Sequence, residues 1–166
     1  KNEGEAIGDE IPNRVLIAAD SSLPARSFVD LAYASAESRP GPVPNMYILL
    51  NAGPGGLRAR NFFLVPPGGL KLSASTNALG LRIEVNGGAR YEVSSADGRS
   101  VKKQTITGAE ALSAYLSRLD RQYPSKNAVT LIVGDGAAVR DLVQAMVITE
   151  DRFPIPILSM GDKLSY

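Results

Sequence analysis

Two aspartates close short apolar runs: Asp20 ends "RVLIAAD" and Asp135 ends "VTLIVGD". A carboxylate at the carboxyl end of a buried strand lies where α/β folds tend to place ligand sites, and it can serve as acid, base or magnesium ligand. The same position lets it accept hydrogen bonds from the exposed amides that start the next helix, as a structural cap. Used together, Asp20 and Asp135 would define a small-ligand-binding or carboxylate-dependent hydrolytic site. Arg58 and Arg60 follow a glycine-rich turn in "GPGGLRAR", which suits an anion cradle with guanidinium partners and equally a solvated connection. "NFFLVPP" offers Phe62 and Phe63 either as core filling or as an exposed edge to which a partner adds a strand. "GDGAAV" matches only the front of a dinucleotide fingerprint, because Val139 stands where the third glycine belongs.

Composition narrows the chemistry further. The 166 residues contain no cysteine and no histidine. Thiol nucleophiles, Ser-His pairs and His- or Cys-ligated metal sites are thereby excluded, and neither a catalytic residue, a cofactor nor a metal is expected. With 18 basic and 17 acidic residues the formal charge is +1, so no general electrostatic attraction to nucleic acid is expected. The lack of cysteine fits an oxidising compartment such as a periplasm. The longest largely apolar run, "AVTLIV" at 128–133, is far short of the roughly 20 residues that span a membrane. The chain opens at Lys1 in a polar leader, 1–13, that lacks the apolar core of a signal peptide and reads as a cut edge.

The elements that would position these residues follow from periodicity. "RVLIAA" at 14–19 reads as a strand buried on both faces. A helix follows, with Ser21 or Ser22 as cap, Pro24 in its first turn and Phe28, Leu31 and Ala32 facing a core. Prolines in "SRPGPVP" end it, and "NMYILLN" at 45–51 gives a second strand parallel to the first. Residues 52–78 read as a Gly/Pro-rich connection in which Phe62 to Val65 form a short edge strand or a plug. Beyond it, "LGLRIEV" and "ARYEVSS" form a hairpin around "NGG". "TGAE" at 107–110 reads as a capping box that opens a helix ending at Tyr123-Pro124. A buried strand at 128–133, a helix carrying Val139, Leu142, Val143, Met146 and Val147, and a last strand "PIPIL", placed at an edge by its prolines, complete the chain.

The strand-Asp-helix-strand phrase thus occurs twice, aligned through Asp20 and Asp135 with a one-residue slip in the helix. The expected fold is α+β: a two-layer sandwich with a mixed sheet, helices on one face and two related lobes. A strand-helix-strand lobe at 14–51 and the 52–78 connection precede a larger unit at 79–166.

The order of elements from Leu79 to Asp162, with "LRIEVNGGARYEV", "TGAEALSAYLSRLDRQYP" and "VTLIVGDGAAVRDLVQAM", resembles the periplasmic domain of the ExbD/TolR family. Asp135, Leu142, Val143 and Met146 match its strand-Asp-helix phrase, and "RVLIAAD" looks like a second copy. The resemblance implies a non-enzymatic, energy-transducing domain, anchored to the bacterial inner membrane by a transmembrane helix that would carry the proton-bearing aspartate. It implies an ExbB/TolQ/MotA-like membrane partner, contact with a TonB/Tol-like protein or peptidoglycan, and a homodimer. Arg58, Arg60, Phe62 and Phe63 are the candidate partner-binding residues.

Overall fold

Apolar side chains on every second residue decide the strands. In the computed structural model, which describes residues 14–37, 45–51, 56–65, 79–124 and 128–159, the chain runs β1 (Arg14–Ile17), α1 (Ala25–Glu37), β2 (Asn45–Asn51), β3 (Leu57–Leu64), β4 (Leu81–Asn86), β5 (Arg90–Ser95), β6 (Gln104–Thr107), α2 (Ala109–Gln122), β7 (Ala128–Val133), α3 (Val139–Thr149) and β8 (Ile155–Ser159). The fold is α+β, with one mixed eight-stranded sheet ordered β1-β2-β3-β8-β7-β4-β5-β6 and three helices. Met46, Ile48 and Leu50 of β2 and Leu81, Ile83 and Val85 of β4 join Phe28, Leu112, Leu116, Leu142 and Met146 of the helices in one buried cluster. Each such side chain contributes roughly 1.5–3 kcal/mol by leaving water.

Several expectations change. The stretch read as a connection carries β3, which lies inside the sheet rather than at an edge. Its first part pairs antiparallel with β2, from Met46↔Phe62 to Asn51↔Leu57, and its end pairs parallel with β8 at Phe63↔Ile157 and Leu64↔Leu158. Within the described part of 52–78, the chain therefore ties the two halves into one sheet. β8 is likewise interior despite its proline. The Leu158 carbonyl accepts from Val65 N–H, so Pro156, two residues earlier, points its missing donor to the same side. The β3 ladder starts only at Ile157, and no bond is lost there. β1 is shorter than read and stands at an edge, with Leu16 57% exposed.

The "TGAE" capping box does not form. Thr107 ends β6, and Gly108 takes the N-cap at φ 93° with no side-chain cap bond. Glycine reaches this left-handed region without the Cβ clash that threonine would suffer. The first helix is not capped by Ser22 either, since its amide and hydroxyl both donate to Asp20 Oδ1, at 2.8 and 2.5 Å. The hairpin forms as expected but turns through Gly87 to Ala89, with Asn86 retained in β4 opposite Arg90. The strand β6 has no counterpart in the sequence reading.

The two β-α-β units, β1-α1-β2 and β7-α3-β8, each hold a parallel strand pair. One flanks β3 antiparallel and the other parallel, so the units run in opposite directions. Their helix starts meet at an isolated antiparallel bridge, Pro24↔Ala138. There Ala25 N–H donates to the Ala137 carbonyl and Val139 N–H to the Leu23 carbonyl, both at 2.8 Å. A local two-fold axis exchanges these two bonds, at a constant spacing of 139 − 25 = 114 residues. Face parity in the first strands agrees with this spacing, because Ile17 and Leu131 both face the core cluster. At this spacing Asp20 corresponds to Gly134 and Ser21 to Asp135 around the bridge, whereas the second strands are offset, with Asn45 beside Arg14 but Ile155 beside Ala128.

Two predictions follow from the turns. A Cβ at Gly87 would lie 2.5 Å from the Gly136 carbonyl oxygen, where the hairpin tip meets the β7-α3 turn backbone to backbone. Gly87→Ala is expected to lower stability by about 1–3 kcal/mol in urea unfolding. In the β5-β6 turn, the Asp97 carboxylate accepts from the Ser95 and Ser100 hydroxyls and the Arg99 and Ser100 amides, which hold its pKa well below the usual carboxylate value. A depressed carboxylate stabilises the fold above its unfolded pKa of about 4 and loses that contribution as pH falls below it. Melting temperatures between pH 2 and 6 are therefore expected to fall less steeply with acid in Asp97→Asn than in the native chain.

Candidate functional site

Alternation along β3 puts Arg58, Arg60 and Phe62 on the same side, in register with Leu50, Ile48 and Met46 of β2. Arg60 therefore enters the interior and is 6% exposed. Glu150, just past the end of α3, serves both arginines. Its Oε2 accepts from Arg58 at 2.6 Å and lies 3.9 Å from Arg60. The two terminal nitrogens of Arg60 are buried without a hydrogen-bond partner, and burial lowers its pKa against the opposing pull of Glu150. A cation here also meets the negative end of α3. The arginines and Glu150 thus form a part-buried ion cluster, with Asp151 adding negative charge, in which Glu150 already pairs with Arg58 and faces Arg60.

Phe62 and Phe63 separate. Phe62 is 1% exposed, with its ring centroid 6.0 Å from that of Phe28 at 53°, and fills the core. Phe63 points to the opposite side beside Ile157 and is 46% exposed. Of the four candidate binding residues, only Arg58 and Phe63 reach solvent.

Asp20 and Asp135 are both exposed. The Ser22 hydroxyl and amide hold Asp20 ionised and lower its pKa. This is a closed turn two residues long, with its donors supplied locally. Asp135 uses its backbone carbonyl to accept from Gly87 N–H at 3.1 Å and so fastens the hairpin tip.

A concavity among the described residues lies where the two β-α-β units meet, and neither aspartate lines it. A cavity of about 710 Å³ is bounded by Ala18, Ala19 and Ser21 after β1, Leu49, Leu50 and Leu57 at the β2 and β3 ends, the hairpin tip at Gly88 and Ala89, and α3 from Val139 to Gln144. Its walls are mostly aliphatic, in the size range of small-molecule and peptide-side-chain sites. The Asp141 carboxylate, 7% exposed, accepts from Ala138 N–H at 2.9 Å and closes the first turn of α3. The Tyr91 hydroxyl donates to Gln144 Oε1 at 3.1 Å, and its pKa is raised by burial and by the charge of Asp141. Asp141 was discernible as an acidic residue three positions into a helix. Tyr91, Arg140 and Gln144 gave no signal, because their convergence depends on the hairpin folding over α3. Among the described residues no cluster of three or more acidic side chains could hold a metal ion.

The Arg60 cluster yields a stability test. Glu150→Gln strands a buried cation and is expected to destabilise the fold by about 2 kcal/mol in chemical denaturation, moderated by the partial exposure of Glu150. Arg60→Met, which removes the cation and keeps its apolar stem, is expected to be neutral or stabilising. Comparison with known proteins gives no matching family model, no matching curated protein and no matching solved structure.

Proposed function

We propose that this chain is the soluble, non-enzymatic part of an ExbD/TolR-like subunit, lying in the periplasm and transmitting force from a proton-driven inner-membrane motor. The observation that carries this reading is the order of the second half: hairpin β4-β5, helix α2, strand β7, helix α3 and strand β8, with β4, β7 and β8 mutually parallel. That is the order on which the family resemblance rests, with β6 as an addition.

The chemistry is compatible with a binding role. Carboxylate chemistry shared between Asp20 and Asp135 is disfavoured because the Asp20 carboxylate is engaged by Ser22 and neither aspartate lines the cavity. What the surface offers is backbone edges and apolar side chains, among them Leu57, Phe63 and Val147. Such features recognise polypeptide or the cell wall by shape and pairing. The proposed partners are an ExbB/TolQ/MotA-like membrane protein, a TonB/Tol-like protein or peptidoglycan, and a second copy of the chain. No helix among the described residues is long and apolar enough to cross a membrane, so any anchor would lie outside them.

Co-sedimentation with purified peptidoglycan, together with light scattering over a concentration series, tests the proposal. A concentration-dependent dimer that sediments with the wall is the expected result. A strict monomer that stays in the supernatant would remove the basis for the transducer reading.

A further inference from the structure

We propose that the outer edge of β1 is a docking site for an extended segment of a partner protein, which adds to the sheet parallel to β1. This holds whatever motor or wall the chain serves. The internal two-fold axis supplies the reason. It matches β1 with β7 and β2 with β8, and β7 carries β4 on its outer side, parallel, from Arg82↔Thr130 to Val85↔Val133. Among the described residues no strand holds the matching place beside β1.

The residues of β1 are those of an interior strand. Val15 is only half-buried and Leu16 is 57% exposed, whereas their counterparts Val129 and Thr130 are fully buried. Exposed edges are usually blunted by lysine, proline or a bulge. Val15, Leu16 and Ile17 carry no such device. The opposite edge, β6, is polar, with Gln104, Thr105 and Thr107 all exposed.

Transferring the β4-β7 register by 114 residues sets the sequence of the incoming strand. It places apolar residues beside Ile17 and Ala19, as Ile83 lies beside Leu131 and Val85 beside Val133. The residue three before the first of these falls beside Arg14. Arg14 is exposed and has no ion pair among the described residues, so an acidic residue there complements it. The occupant is thus an alternating apolar segment with an acidic residue toward its amino end.

The test uses the full chain and synthetic peptides of residues 79–86, one native and one carrying Gly80→Glu, with amide hydrogen exchange followed by NMR. In the free chain, β1 amides are expected to exchange faster than those of β2, and either peptide is expected to slow them. The Gly80→Glu peptide is expected to bind about threefold more tightly than the native one, an advantage lost in Arg14→Gln. Leu16→Lys should weaken both peptides with an unchanged urea midpoint, since that side chain is largely outside the core. The proposal is overturned if β1 is already as protected as β2 in the free chain, or if the peptides protect β6 or nothing. It is also overturned if light scattering shows a dimer that Leu16→Lys dissolves, for then the edge belongs to a second copy.

Discussion

The continuity of the sheet depends on a narrow junction. Between β2 and β3 the ladder runs over six residue pairs, but between β3 and β8 it rests on two, Phe63↔Ile157 and Leu64↔Leu158. Val65 N–H adds a bond to the Leu158 carbonyl, and the Tyr33 hydroxyl of α1 donates to the Val65 carbonyl at 2.7 Å. Interior backbone groups must be paired, so these few bonds fix how the first unit meets the second. The bridge between the helix starts at Pro24 and Ala138 is the other tie. With both in place, α1 and α3 share one buried cluster, and a cavity is left where the first turn of α3 faces the end of β1.

The hairpin is held against that junction by an absence of side chains. Gly87 lies against the Gly136 carbonyl, and Gly134 lies against the Asn86 side chain, so any Cβ at either place would displace a neighbour. Gly134 N–H donates to the Val85 carbonyl and Gly87 N–H to the Asp135 carbonyl, closing the contact with backbone bonds. The glycines that superficially suggest a nucleotide fingerprint are accounted for by this close approach. The hairpin tip, once fixed, becomes a wall of the cavity and brings Tyr91 to Gln144.

Much of this was legible as periodicity. The strands β2, β4, β5 and β7 and the apolar stripes of α1, α2 and α3 follow from spacing alone, because burial of alternating or helically spaced apolar residues is a local pattern. Placement in the sheet was less legible. Pro156 and the glycines before β3 mark an edge only if every backbone donor is assumed to be needed, whereas the short β3-β8 ladder spares the donor that proline lacks. The bridge at Pro24 and Ala138 sets a spacing one residue short of the Asp20–Asp135 alignment, the spacing at which the strand faces also agree, since a one-residue shift turns every side chain of a strand to the other side. The burial of Arg60 was hidden for a related reason. A charged residue in a glycine-rich stretch reads as solvated until the strand's phase aligns it with Ile48.

The two-fold axis also accounts for the unequal edges of the sheet. Two β-α-β units related by that axis have equivalent outer strands, β1 and β7, yet among the described residues only β7 is covered, by the hairpin β4-β5. On that side β5 and the polar β6 carry the sheet out to water through residues that tolerate it, with Glu92 further paired to Lys103 at 2.5 Å. On the other side the sheet stops at β1 itself, with none of the three strands that lie beyond β7, at residues whose types match the interior of the fold. Asymmetric covering of two similar units thus leaves, among the described residues, an uncovered strand edge and apolar surface at β1, beside the same β1-α1 turn that bounds the cavity. In the proposed docking the added segment runs parallel to β1, toward that turn and the cavity it bounds.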